Sequence, residues 1–251
     1  MTRHIVLIHG AWQGAWAFDA WLPLLRERGW QPHAVDLPGN GWPPLGDAPA
    51  GLDAYTAHVA GVIEALGEPA VVLGHSGGGI TASQVAEALP ERVAALVYLA
   101  GMMLPSGLGF GELVRQVQAE HPGRDFSGIG PWLEWNADRS ASRVPAEAAL
   151  RCFVHDCEPA AAAQAAALLR PQPESGRAMV NQLTPERLGR VPRFYVECLD
   201  DQSVYHPLQE RMQQLSPGAH RLTLSCGHVP QLAAPRALTD LLLPELEALL
   251  P

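Results

Sequence analysis

Residues 70–80, AVVLGHSGGGI, pass from an apolar run into four glycines within six residues and then into helix-compatible sequence. A junction like this leaves the chain little freedom. The segment Gly74-His75-Ser76-Gly77-Gly78 fits G-x-S-x-G, in which a serine sits on a sharp strand-to-helix turn and the flanking glycines let backbone pass close. A phosphate cradle is the wrong reading, because no lysine follows in the G-x-x-x-x-G-K-[ST] pattern. A glycine-rich turn with a spectator serine is the plainer alternative. The strand before the motif and the helix after it favour Ser76 as a nucleophile.

The surrounding sequence repeats the strand-then-helix theme. Apolar runs at 4–9, 32–35, 70–74, 93–100, 193–199 and 220–225 read as six strands, the first of them buried. Between them, Phe18, Trp21, Leu22 and Leu25 mark one helical face ending near Gly29. Leu52, Tyr55, Val59, Val62, Ile63 and Leu66 mark a second, and further helices are expected over 78–89 and 204–215. A last helix starts near Pro235, with Pro244 expected to kink or restart it. Such alternation predicts an α/β fold with a mostly parallel sheet covered by helices on both faces. The rhythm breaks between residues 102 and 184. No strand is evident there, and the alanine-rich run 159–169 reads as a helix. We therefore expect a core formed by 1–101 and 185–251, with 102–184 inserted after the fourth strand as a helical cap.

Composition narrows the partners. The 251 residues carry 17 Lys plus Arg against 26 Asp plus Glu, a formal net charge of −9, which disfavours nucleic acid and anionic membrane surfaces. No apolar run approaches the ~18 residues of a membrane span, and no signal-peptide pattern opens the sequence. The four cysteines lack C-x-x-C spacing, so neither a zinc site nor a disulfide framework is expected. Reduced thiols in a cytoplasmic protein are the expectation.

Ligands of open α/β sheets bind beyond the carboxyl ends of the strands. Four strands end there in reactive sequence: HGAW (9–12), GHSGG (74–78), DDQ (200–202) and CGH (226–228). Of ten histidines, His4, His33, His58, His121 and His220 lie inside or at the starts of elements, away from that edge, and His75 flanks the serine pointing elsewhere. His155 and His206 have no evident place. His228 follows the last strand and is the candidate general base. Its acid is Asp200 or Asp201, adjacent residues whose side chains point different ways. The spare one would cap the following helix. Asp36 also ends a strand but precedes the nucleophile. The amides of Gly77 and Ala11 are the expected oxyanion donors, while HGAWQGAW also reads as a turn packing Trp12 and Trp16.

These motifs together, with HGAWQGAWAFDAWLPLLRERGW (9–30), VDLPGNG (35–41), GHSGGG (74–79) and VPRFYVECLDDQSVYHPLQERM (191–212), resemble the α/β-hydrolase superfamily. The likeness is to the branch of plant methylesterases, salicylate-binding esterases and hydroxynitrile lyases. RCFVHDC (151–157) and LRPQP (169–173) are similar to bacterial relatives. The resemblance places the acid on Asp201. It also implies a serine carboxylic-ester hydrolase without cofactor or metal, acting on a small, largely apolar ester. Cyanohydrin-cleaving members carry a threonine where Gly10 stands and a lysine where Val229 stands, so esterase is expected over lyase. Lactonase activity, or ligand binding with vestigial turnover, is the alternative the same motifs would serve. Trp12 and the cap aromatics Phe110, Phe126, Trp132 and Trp135 are expected to wall the pocket, Trp12 and Trp132 foremost, or else to pack cap onto core.

Overall fold

A computed structural model of the chain describes residues 3–40 and 49–250. Gly41, which closes the expected turn DLPGNG, lies outside the described residues. Strand β1 (Arg3–Ile8) leads through a 3-10 turn (Ala15–Phe18) and α1 (Leu22–Glu27) to β2 (Trp30–Val35). Then come α2 (Leu52–Leu66), β3 (Ala70–His75), α3 (Gly78–Ala88) and β4 (Val93–Leu99). The inserted segment contributes α4 (Phe110–Glu120), β5 (Glu134–Trp135), β6 (Ala141–Arg143), α5 (Ala146–Cys152), α6 (Pro159–Leu168) and β7 (Gln172–Pro173). The core resumes with β8 (Arg193–Cys198), α7 (His206–Leu215), β9 (Ala219–Leu224), α8 (Pro230–Ala233) and α9 (Pro235–Leu249).

Strands β2-β1-β3-β4-β8-β9 form one parallel sheet in that order. Its inner strands are almost continuously apolar because both faces are covered. On β1, Val6 and Ile8 enter the core beneath α2 and α3, while Ile5 and Leu7 face Trp21, Leu242 and Leu246 on the other side. Alternate residues thus feed two separate cores, as the two-residue period of a strand requires. Because all six strands run the same way, the residues after β1, β3, β8 and β9 emerge at one edge.

Three local expectations change. The helix expected to end near Gly29 splits, because Pro23 lies in the first turn of α1, where its missing N–H costs nothing. Phe18, Trp21 and Leu25 are buried all the same. Pro244 does not restart α9, which runs unbroken through it. The carbonyl losing its partner belongs to the exposed Asp240, so water can satisfy it. The inserted segment has helices α4–α6 but is not strand-free: β5, β6 and β7 form a small antiparallel sheet. Strands of two or three residues carry no readable alternation, and their pairing of Ser142 with Gln172 is non-local. No helix among the described residues is long and apolar enough to cross a membrane.

Candidate active site

The turn after β3 shows why this sequence needs its glycines. Ser76 has φ of 51°, a left-handed conformation that costs an ordinary residue energy. A Cβ on Gly74 would lie 2.5 Å from the Gly78 carbonyl oxygen, and one on Gly78 would lie 2.5 Å from that of Ile8. Only glycine at both positions lets β3 turn directly into α3 while β1 passes beside it. The strain is held by the Ser76 amide donating to Leu99 O (3.2 Å) and the Met102 amide donating to Ser76 O (2.8 Å).

That turn brings Ser76 Oγ 3.0 Å from Nε2 of His228, on the loop between β9 and α8. Nδ1 of the same ring donates to Asp201 Oδ2 at 2.7 Å. Asp201, rather than the exposed Asp200, is therefore the neighbour that meets the imidazole. The turn after β8 decides this, because Asp201 Oδ1 accepts the Ser203 and Val204 amides (2.7 and 2.8 Å), turning its other oxygen toward His228. Gln209 on α7 donates to Asp201 Oδ2 (3.3 Å) and clamps both backbone polar groups of Cys198. All three side chains are buried, with Ser76 the most accessible.

Two backbone amides lie beside the serine. Gly77 caps the N-terminus of α3, where amides lack helical partners, and its Cα substituent position lies 3.8 Å from the Ala11 amide nitrogen. Among the described residues neither amide has a protein acceptor. Ala11, Gly77, Trp12 and Ser76 all line a cavity of about 480 Å³.

The neighbouring histidines are structural. Burial, and next the His228 ring, hold His75 well below its usual range, so it stays neutral and its Nε2 donates to the His228 carbonyl (2.8 Å). Burial likewise lowers His9, whose Nε2 accepts the Leu37 amide (3.2 Å) and ties the loops after β1 and β2 together. Asp36 accepts the Ala15 amide (2.8 Å) and so shapes the turn below Trp12. Burial pushes the Cys157 thiol up to about 12, leaving it protonated at neutral pH.

The inserted segment also holds the histidine loop, through residues that sequence reasoning did not assign. Asp156 accepts the Gly227 amide at 2.6 Å, one residue before His228, and Phe153 lies against the imidazole with ring centroids 5.4 Å apart. The run RCFVHDC carried the only signal, a resemblance without a role. Of the expected pocket aromatics, Trp12 and Phe110 line the cavity. Trp132 does not: it is 36% exposed with Arg151 over its ring, and Ile129 and Gly130 of the same turn line the cavity instead. Phe126 is buried against Tyr205, and Trp135 packs beneath Arg139 and Arg177.

A strained serine, an imidazole, a carboxylate and two unspent amides at one edge of a parallel sheet describe a hydrolase of the nucleophile-elbow type. Residues 5–241 match the alpha/beta hydrolase family, and the chain belongs to it. It is 28% identical to the pyrethroid hydrolase of Sphingobium wenxiniae, over 94% of this chain and 85% of that one. It is also 28% identical to salicylic acid-binding protein 2 of Nicotiana tabacum, over 82% of each. An Arabidopsis thaliana relative named as a chloroplastic methylesterase is 28% identical over 96% of this chain, which spans only 63% of that protein's length. The crystal structure of a pyrethroid hydrolase from Sphingobium faniae superposes with a TM-score of 0.81 at 25% identity, covering 96% of this chain and 95% of that one. Related pyrethroid hydrolase structures are of alanine variants, one at a serine and one at a histidine.

Proposed function

We propose that the protein is a serine carboxylic-ester hydrolase working through an acyl-enzyme on Ser76. The observation that carries this reading is the continuous array from Ser76 Oγ through His228 to Asp201 Oδ2, opening onto two unpartnered amides. Ser76 attacks the ester carbonyl while His228 Nε2 takes its proton. Asp201 keeps the other ring proton on Nδ1 and stabilises the imidazolium that forms. The developing oxyanion is received by the amides of Ala11 and Gly77, aided by the positive end of α3. His228 returns its proton to the departing alcohol, then activates water to release the acid.

The surroundings favour ester hydrolysis over cyanide elimination. The position after His228 is the apolar Val229, buried among Trp12, Phe153 and Val154, where a lysine would offer a cation to a leaving cyanide. A side chain at Gly10 would sit 2.9 Å from Ser76 Cβ and press on the nucleophile. The relatives named as a methylesterase and as a pyrethroid hydrolase support the same class of substrate. Stopped-flow mixing with p-nitrophenyl acetate should release a burst of p-nitrophenol, and Ser76→Ala should release none. Tight binding of small esters with no burst would replace the hydrolase reading with a ligand-binding one.

A further inference from the structure

One wall of the cavity is polar in a way that ester hydrolysis does not use. The Trp12 amide donates to Gln172 Oε1 (3.2 Å), Gln172 Nε2 donates to the Tyr55 hydroxyl (3.1 Å), and that hydroxyl donates to Asn40 Oδ1 (2.7 Å). All three side chains are buried, and each lines the cavity. The first link fixes every later one. Gln172 must offer oxygen to a backbone amide, so its nitrogen faces the phenol, and the phenol's proton goes to Asn40. Burial pushes Tyr55 up to about 12, which keeps that proton in place. The relay therefore ends with the Asn40 amide nitrogen turned away from Tyr55, and among the described residues no protein acceptor takes its protons.

A second unspent group lines the same cavity. Thr81, on α3 beyond Ser76, is buried, yet among the described residues its hydroxyl has no hydrogen-bond partner. The usual outlet for a helical hydroxyl is the carbonyl four residues back. Thr56, Ser83 and Thr239 all take it, at 2.7 to 2.8 Å; Thr81 does not. Buried polar groups are normally paired, so an unpaired buried hydroxyl beside an amide whose protons find no acceptor among the described residues suits a partner from outside the protein.

We infer that the substrate ester carries a second oxygen acceptor, an ether, keto or hydroxyl oxygen away from the scissile carbonyl, which the Asn40 amide and the Thr81 hydroxyl receive. With its oxygen engaged by Tyr55, Asn40 presents its NH₂ protons to the cavity, which suits an oxygen acceptor. A purely hydrocarbon ester would strand both groups, and a site built for a polar substituent discriminates strongly against the analogue lacking it. This inference rests on the ester-hydrolase reading and names its substrate class more closely.

The test uses matched p-nitrophenyl esters in which one chain methylene is replaced by oxygen at successive positions, each rate divided by its own hydroxide-catalysed rate. At one position the oxygenated ester should exceed its hydrocarbon partner in kcat/KM by about tenfold or more. That ratio should fall toward unity in Asn40→Leu and in Thr81→Val. Thr81→Val should also hold or raise Tm, because the hydroxyl is unspent in the fold; a fall in Tm would mark it as structural and overturn its role. Ratios near unity at every position, or a preference surviving both substitutions, would overturn the inference. Calorimetry of the same pairs on Ser76→Ala separates the two readings. Tighter binding of oxygenated esters by Ser76→Ala, with no turnover of any of them by the wild-type enzyme, would uphold the acceptor site and overturn the hydrolase. Equal affinities with intact turnover would do the reverse.

Discussion

Replacing Asp201 by asparagine alters one atom of the carboxylate and inverts the proton inventory around it. The oxygen accepting the Ser203 and Val204 amides is held by two short hydrogen bonds (2.7 and 2.8 Å), so the asparagine carbonyl would stay there. Its NH₂ would then occupy the Oδ2 position, facing the former donors His228 Nδ1 and Gln209 Nε2. The imidazole must respond by moving its proton to Nε2, where it points at Ser76 Oγ and can no longer accept. The serine proteases give the scale of that tautomer change, about 10⁴ in kcat, or roughly 5.5 kcal/mol of transition-state stabilisation. Asp200→Asn, at an exposed position, should stay within about twofold of wild type. Single-turnover acylation by p-nitrophenyl acetate reads both variants, and circular dichroism checks that each is folded. Near-normal acylation by Asp201→Asn, or an equal loss in Asp200→Asn, would refute the reasoning.

Asp156→Ala removes the acceptor of the Gly227 amide and should lower kcat about tenfold with little change in KM. Asp156→Asn, which keeps an accepting oxygen, should recover most of that, and steady-state kinetics of the pair decides it. Glu197 is buried at the back of β8, where Arg221 (2.7 Å), Thr223 (2.8 Å) and Gln213 (3.1 Å) converge on it. Glu197→Ala should cost about 2 kcal/mol, since Arg221 is half exposed, and lower Tm by roughly 4–8 °C in calorimetry. His9 and His75 have folded pKa values below that of an unfolded histidine, about 6.5. Between those values the unfolded chain binds the extra protons, so their stabilisation is complete above about pH 6.5 and is lost as pH falls. The loss approaches 1.4 kcal/mol per pH unit for each ring. Tm measured from pH 7.5 to 5 should fall accordingly, and a flat profile would contradict the burial of neutral rings.

Local features of the sequence reveal the sheet and the serine turn because both are local in cause. A β-branched apolar run such as VVL, closed by glycines, suits an interior strand, and the spacing of Gly74, Ser76 and Gly78 favours the turn by steric contact. The choice between Asp200 and Asp201 is not local. It depends on where the amides of Ser203 and Val204 point after β8 has been placed. The same is true of Asp156 and Gln172, whose partners Gly227 and Trp12 are distant in sequence. Trp132 misled for a related reason: an aromatic in a cap suits a pocket wall and an exposed face equally, and the 3-10 turn at Gly130–Trp132 points it outward. The brief strands β5, β6 and β7 leave no periodic trace, so only their pairing reveals them.

The central claim is a covalent acyl-enzyme on Ser76, and quenched-flow mass spectrometry tests it most directly. The enzyme is mixed with a p-nitrophenyl ester, acid-quenched within the burst, digested and mapped. A single acyl group on the peptide containing Ser76, absent from Ser76→Ala, is the predicted result. Unmodified Ser76 during full turnover, or turnover that persists in Ser76→Ala, would contradict the account.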